Sequence, residues 1–205
     1  MSNGLIVSIS GPSGVGKGTV IAKLREMIPA FGQSISATSR APRGAEKDGV
    51  EYYFKTKEEF EALIAEGEII EYDVYVGNYY GTPLTPLITM SGKGQDVLLD
   101  LTVAGSLALK EKFDETVTIF LLPPTLKELR SRLTGRGTET EELVDKRMAQ
   151  AKTEIASAPK FDYVVTNDDV DRAAEEIAAI VEAEHARYVR RSKEVDTLLA
   201  SDRKN

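Results

Sequence analysis

A glycine-rich run near the amino terminus carries the residue types that bind phosphate. Residues 11–19 match a Gly-x4-Gly-Lys pattern. Glycines let successive backbone N–H groups turn towards an anion, and Lys17 can reach the outer phosphates of a nucleoside triphosphate. The alternative is a tight turn that only packs a helix on a sheet. The residues predicted to surround the phosphates are Gly11, Pro12, Ser13, Gly14, Val15, Gly16, Lys17, Gly18 and Thr19.

The position after the lysine affects how a magnesium ion would be held. Gly18 stands where Ser or Thr usually meets Mg²⁺ in such loops, and Thr19 follows it. Mg²⁺ usually keeps several water ligands at phosphate sites. We therefore expect Mg²⁺ to arrive with the nucleotide, held mainly by phosphate oxygens and water, and we expect no dedicated metal-ligating residues.

A pair of arginines predicts a second anion site. Arg40 and Arg43 are close in sequence, and Pro42 keeps this stretch out of a helix. Two guanidinium groups can grip a phosphate through paired hydrogen bonds, and the hydroxyls of Tyr52 and of Tyr79 or Tyr80 can add more. Taken alone, such an arginine pair is more often a solvated surface feature.

Composition and charge exclude several classes of protein. The 205 residues include 26 Lys and Arg against 33 Asp and Glu, a net charge of −7, which argues against a nucleic-acid partner. Cysteine is absent and His185 is the single histidine, so a zinc site is not expected. No apolar run is long enough for a membrane span, and no secretory signal opens the chain. We expect a cytoplasmic protein with no membrane partner.

The apolar patterns predict alternating strands and helices. Continuous apolar runs predict buried strands at 4–10, 96–101, 117–122 and 162–166. Helical spacing predicts helices from Val20 to Ile28 and at 103–112, 125–134 and 169–190. This alternation indicates an α/β fold with a parallel sheet flanked by helices. The tail after Glu194 is polar, and fraying is expected there.

Two regions interrupt this alternation. Between Ser34 and Ser91, strand-like pieces occur at 50–54, 68–72 and 74–80, with a turn at Gly77-Asn78. Thr56 and Glu59 form a capping-box pattern that predicts a helix inside this region. Between Thr125 and Pro159 a helix pair is broken at residues 135–137. We interpret both regions as insertions into the core.

Taken together, these runs closely resemble guanylate kinases, from about Leu5 to about His185. The most specific parts are Gly-Asn-Tyr-Tyr-Gly at 77–81 and Ser-Arg-Ala-Pro-Arg at 39–43. The resemblance implies a P-loop NTPase core, a GMP-binding insertion and a helical lid. It also implies the activity: transfer of the γ-phosphate of ATP to GMP, and to dGMP, giving ADP and GDP in purine nucleotide metabolism.

The same resemblance predicts how the chain is organised into parts. It implies a single guanylate-kinase-like domain over 1–205. Its parts would be a core at 1–34, 90–124 and 160–190, a GMP-binding region at 35–89, a lid at 125–159 and a carboxy-terminal tail at 191–205. The tail could pack on the core or on a partner subunit, so a homo-oligomer is a further alternative.

The resemblance also assigns roles to residues. The GMP site would comprise Ser36, Arg40, Arg43, Tyr52, Glu71, Tyr80, Thr82 and Asp100. Ser36, Glu71 and Thr82 would read guanine, because an ionised carboxylate can accept from its N1–H and amino groups. The ATP site would add Arg132, Arg136, Asn167 and Asp168 to the phosphate loop. The catalytic residues would be Lys17, Arg40, Arg136 and Arg147.

Several alternatives stay open at this point. Glu71 alone would more often be a solvated carboxylate, and Arg147 could pair with Glu142 or Asp145 on its own helix. Thr102 and Ala104 stand where guanylate kinases commonly carry an acid and a glutamine, which leaves the detail of the magnesium and guanine sites open. The whole chain could instead be a protein-interaction scaffold of the same fold, or a kinase for another nucleoside monophosphate.

Overall fold

The computed structural model describes residues 3–75, 77–134 and 140–202. The strands are β1 (Ile6–Ser10), β2 (Gly32–Gln33), β3 (Ala37–Thr38), β4 (Tyr53–Phe54), β5 (Ile69–Tyr75), β6 (Asn78–Pro83), β7 (Val97–Asp100), β8 (Val117–Leu122) and β9 (Tyr163–Thr166). The helices are α1 (Lys17–Met27), α2 (Lys57–Ala65), α3 (Leu84–Gly92), α4 (Val103–Lys112), α5 (Leu126–Thr134), α6 (Glu141–Ile155), α7 (Val170–His185) and α8 (Tyr188–Asp202).

Five parallel strands form the central sheet, in the order β2, β7, β1, β8, β9. The predicted parallel α/β fold is therefore confirmed. The apolar runs of β1, β7 and β8 are buried almost throughout, as expected of strands covered on both faces. Because all five strands run the same way, the segments that follow β1, β7 and β9 meet at one edge of the sheet.

Helices cover the sheet on both faces. On one face α1 and α7 pack against it through Leu24 and Ile177, both fully buried. On the other face lies a separate apolar cluster in which Leu87 of α3 and Leu109 of α4 pack against β7. This packing holds the amino terminus of α1 and that of α4 beside the carboxyl ends of the strands.

The first inserted region forms a second sheet, in the order β4, β3, β6, β5. A hairpin joins β5 to β6, and Gly77 at its turn has a φ of 76°, which favours glycine. The turn predicted at Gly77-Asn78 is confirmed, and it divides residues 74–80 between β5 and β6. The predicted cap of α2 is confirmed, since Thr56 accepts from the Glu59 N–H and Glu59 reaches back to Thr56.

The second inserted region is a helix pair with a small apolar core of its own. Leu129 and Leu133 of α5 pack against Val144 and Met148 of α6. The predicted helix at 125–134 is confirmed by α5, and the break predicted at 135–137 lies outside the described residues.

The carboxy-terminal end differs from expectation. The helix predicted at 169–190 ends at His185, and α8 begins at Tyr188. The prediction of fraying after Glu194 is wrong as well, because α8 continues to Asp202. Arg190 ties α8 to the core by donating to the Glu115 carbonyl at 2.9 Å. Within the described ranges, no helix is both long enough and apolar enough to span a membrane.

Candidate active site

The glycine-rich run forms the turn between β1 and α1. Gly14 and Gly16 have φ angles of 87° and 100°, in the left-handed region that glycine adopts without strain. The loop turns back on itself, and the Lys17 ammonium donates to the Gly11 carbonyl at 3.0 Å. An ammonium has three donors, so two are left for an anion. The first backbone N–H groups of α1 open onto the same space.

Two predicted ATP-site residues brace this loop. The Asn167 side-chain amide donates to the Val15 carbonyl at 2.7 Å, and Arg132 donates to the same oxygen at 3.0 Å. Arg132 also donates to the Asn167 carbonyl at 3.1 Å. A Cβ on Gly16 would lie 2.6 Å from the Asn167 amide nitrogen, so glycine is required for this close approach. The structure thus brings Arg132 and Asn167 to the loop, whereas Asp168 pairs with Arg172.

Arg40 lies at the centre of the predicted phosphate clamp. Its side chain is buried, its guanidinium lies 5.4 Å from the centre of the Tyr52 ring, and Tyr52 contacts Tyr80 edge-on at 6.0 Å. Two Arg40 nitrogens donate to the two oxygens of Glu46 at 2.9 and 3.0 Å. The structure therefore brings Arg40, Tyr52 and Tyr80 together, as predicted from the sequence.

Glu46 is a residue that the sequence analysis missed. It receives both Arg40 bonds and also the Arg43 backbone N–H at 2.7 Å. The Arg40 hydrogen bonds lower the pKa of Glu46, and the carboxylate raises the pKa of Arg40 in return. A carboxylate three residues after Arg43 was the available signal. Arg43 itself is exposed.

Tyr79 points away from this clamp. Its ring stacks on Phe60 of α2 at 5.1 Å, and its hydroxyl donates to Glu61 at 3.0 Å. Successive side chains of a strand face opposite sides, so only one of Tyr79 and Tyr80 can face the arginine. The structure assigns that position to Tyr80.

The predicted base readers lie in one row across three strands. Ala37 pairs with Gly81, which places Ser36 opposite Thr82. β5 contains a bulge, because Ile69 pairs with Pro83 whereas Tyr72 pairs with Gly81. Two residues of β5 therefore lie opposite Thr82, and the second of them is Glu71. Such a bulge re-aims side chains. Here it turns Glu71 towards α4.

Glu71 makes its protein contacts with Thr102, the residue that caps α4. One carboxylate oxygen, Oε2, accepts from the Thr102 hydroxyl at 2.5 Å and from the Thr102 backbone N–H at 3.2 Å. The same hydroxyl accepts from the Gly105 N–H at 3.0 Å. A Cβ on Gly105 would lie 2.1 Å from Oε2, so this contact also depends on glycine.

Three charged groups share this part of the cleft. Burial raises the pKa of Glu71, the Thr102 hydrogen bonds oppose that rise, and Asp100 and Lys17 act on it through their charges. Partial desolvation raises the pKa of Asp100, which remains accessible to solvent, while the charge of Lys17 opposes this rise. β1 and β7 pair with Ile9 opposite Asp100, so the phosphate loop begins beside Asp100.

The residues predicted for a lid are placed only in part. Arg147 is partly buried on α6, whereas Arg136 lies outside the described residues. The two acids considered as partners of Arg147 bond elsewhere: Asp145 accepts from Arg130 at 2.6 Å, and Glu142 accepts from Lys146 at 2.9 Å.

Comparisons with known proteins identify similar chains. The family model described as guanylate kinase matches residues 3–184. Guanylate kinase of Halalkalibacterium halodurans is 52% identical over 91% of this chain and 92% of its own length. That of Lactococcus lactis subsp. lactis is 50% identical over 91% of each chain. A crystal structure of guanylate kinase from Anaplasma phagocytophilum is similar with a TM-score of 0.69, at 35% identity, covering 93% of this chain and 90% of that chain.

Proposed function

This chain belongs to the guanylate kinase family, and we propose that it transfers the γ-phosphoryl group of ATP to GMP, giving ADP and GDP. dGMP is proposed as a second acceptor, because it carries the same base and the same 5′-phosphate as GMP. One observation carries the proposal: β1 and β7 pair in parallel with Ile9 opposite Asp100, so the phosphate loop after β1 lies at the same edge of the sheet as Thr102, which holds Glu71. A phosphate donor and a guanine-reading carboxylate thus share one cleft.

The reaction requires positioning and charge more than a base. The acceptor phosphate of GMP is already ionised near neutral pH, so no side chain has to remove a proton from it. Negative charge spreads over the transferring phosphoryl group, and cationic side chains that converge on it stabilise the transition state. In this proposal Lys17 contacts the ATP phosphates, while Arg40, Arg43, Tyr52 and Tyr80 hold the GMP phosphate.

Guanine would be recognised across the row of Ser36, Thr82 and Glu71. Guanine presents N1–H and an amino group as neighbouring donors, and Glu71 offers an acceptor when it is ionised. Adenine lacks this donor pair, so binding adenine would leave the buried carboxylate without a partner. Asp100, which lies opposite Ile9 in the sheet, would line the same site beside the phosphate loop.

Mg²⁺ is part of the proposal. A Cβ on Gly18 would meet nothing within 4 Å, so the space at this position of the loop is open. Mg²⁺ would be held mainly by phosphate oxygens and water, and it would offset the charge of the two nucleotides. Within the part of the chain that the structure describes, no three His, Cys, Asp or Glu side chains gather as a metal site.

The lid would complete the ATP site. We assign the adenine side to Asn167 and Asp168, and the phosphates to Arg132, Arg136 and Arg147. Arg132 and Asn167 already contact the loop carbonyl of Val15. Closure of the helix pair over ATP would exclude water, which otherwise competes as the phosphoryl acceptor.

The proposal also covers the compartment of the reaction and the assembly of the chain. We place the reaction in the cytoplasm, where ATP and nucleoside monophosphates are metabolised. A homo-oligomer through α8 is also included, because Val195 and Leu199 are exposed on that helix, to 40% and 61%. Sedimentation of the purified chain over a range of concentrations tests the assembly.

The decisive experiment measures ADP release with a panel of monophosphate acceptors: GMP, dGMP, AMP, CMP and UMP. We expect turnover with GMP and dGMP and little with the others. Preference for another acceptor would overturn the guanine assignment. A folded protein that turns over no acceptor would be a binding scaffold.

A further inference from the structure

The two oxygens of the Glu71 carboxylate differ in the hydrogen bonds that they accept. Both hydrogen bonds that it accepts within the described residues fall on Oε2, and both come from Thr102. The second oxygen, Oε1, lies on the opposite side of the carboxylate. The protein thus anchors the proposed guanine reader through its Oε2 atom.

Thr102 suits this role because its hydroxyl takes part in two bonds at once. It donates to Glu71 and accepts from the Gly105 N–H at the first turn of α4. The accepted bond fixes the hydroxyl hydrogen in the direction of Glu71, since the hydroxyl has only one proton to donate. The amino terminus of α4 adds partial positive charge beside the carboxylate.

We propose that Thr102 is a positioning residue: by bonding Oε2 of Glu71 it orients the carboxylate so that Oε1 faces the acceptor base. Thr102 acts through Glu71 and has no assigned contact with substrate. The proposal rests on the proposed function, in which Glu71 reads guanine.

The groups around Glu71 determine in which direction its pKa should change when Thr102 is replaced. Burial raises the pKa of Glu71, and the two Thr102 hydrogen bonds work against that rise. Asp100 of β7 also raises the pKa and Lys17 of α1 lowers it, but neither changes when Thr102 is replaced. Removing the hydroxyl should therefore raise the pKa of Glu71 further and leave more of it protonated in weakly acidic buffer.

The test compares Thr102→Val, which keeps the side-chain shape, with Thr102→Ser, which keeps the hydroxyl. Thr102→Gly is a third variant, because glycine is nearly as good a helix cap as threonine and removes the hydroxyl at little cost in stability. Thr56→Val is the matched control, since it removes the side-chain cap of α2 instead.

Two readouts separate the inference from the proposed function. The first is the pKa of the Glu71 carboxyl in the nucleotide-free protein, from NMR of ¹³C-labelled glutamate with Glu71→Gln to assign the signal. The second is the pH profile of kcat/KM for GMP at saturating ATP.

We expect the pKa of Glu71 and the acid limb of the profile to rise by about one pH unit in Thr102→Val and Thr102→Gly. Thr102→Ser should restore both, and Thr56→Val should change neither. A Glu71 pKa that is unchanged in Thr102→Val and Thr102→Gly would overturn the inference, whatever the activity. A shifted pKa in a protein without GMP activity would support the inference and refute the proposed function.

Discussion

Lys17 is the residue at which the two halves of the proposed site meet. Its ammonium closes the phosphate loop onto the Gly11 carbonyl, and its charge acts on Asp100 and Glu71 across the cleft. A neutral side chain at this position would leave the loop without its cation and the neighbouring carboxylates without a counter-charge.

Lys17→Ala should lower kcat by about 100-fold or more, as expected when a group that stabilises charge in a transition state is lost. Steady-state ADP release at saturating ATP and GMP measures it. The control is Lys23→Ala on the same helix, because Lys23 pairs with Asp171 at the surface. Near-normal turnover of Lys17→Ala would remove its assigned role.

Glu46 holds Arg40 in place through two parallel bonds. Glu46→Gln keeps the shape but replaces one acceptor oxygen with an NH₂ group that opposes the guanidinium. Arg40 should then lose its orientation, and KM for GMP should rise on the order of tenfold while KM for ATP changes little.

The control for this change is Glu51→Gln, because the exposed Glu51 accepts only from the Lys47 backbone among its described contacts. Initial rates with one nucleotide varied at a time measure both constants. Equal KM values for GMP in the Glu46 and Glu51 variants would mean that Arg40 needs no such support.

At the scale of the elements, two features bring the acceptor site together. A bulge in β5 aims Glu71 at α4, and Gly105 lets the first turn of α4 approach that carboxylate. Neither an isolated strand nor an isolated helix would form this contact, because it depends on how the two pack.

Gly105→Ala should separate these two elements. Its added methyl would lie 2.1 Å from Oε2 of Glu71, so the carboxylate or the helix must move. We expect kcat/KM for GMP to fall about tenfold or more, with KM for ATP nearly unchanged. Gly92→Ala is the matched control, since a methyl there meets nothing within 4 Å. Comparable losses in both variants would contradict this explanation.

At the scale of the molecule, the central sheet joins the sites, and Asp162 at the start of β9 helps to secure it. Burial raises the pKa of Asp162, but bonds from Lys110 of α4 and from the Thr118 N–H and hydroxyl of β8 outweigh it and lower the pKa overall. A carboxyl group with a lowered pKa stabilises the fold above its unfolded pKa, and this contribution disappears as the pH falls through the folded pKa.

Asp162→Asn should therefore reduce Tm by several degrees at pH 7. The difference in Tm between the variant and the wild type should shrink as the pH falls below about 4. In that range the carboxyl group becomes protonated first in the unfolded chain and then in the folded one. Calorimetry at several pH values measures this effect, with the exposed Asp114→Asn as the control. A difference that stays constant with pH would show that charge is not involved.

Some features of the fold and the site follow from local sequence patterns, whereas others depend on the tertiary structure. The phosphate loop, the parallel strands and Arg40 with Tyr52 were predictable, because glycine spacing, apolar runs and paired cations are written in short stretches of sequence. The break between α7 and α8 was not predictable, because the apolar spacing continues across residues 186–187 and no proline or glycine marks the end.

What the sequence by itself determined is the set of chemical groups: a lysine in a glycine loop, arginines beside a proline, and a carboxylate on a strand. The tertiary structure decided which of them meet. Glu46 closes on Arg40, Tyr80 rather than Tyr79 faces the clamp, and Thr102 contacts Glu71 from 31 positions away in the chain. These pairings depend on strand register and helix packing, which link residues distant in sequence and leave no local pattern.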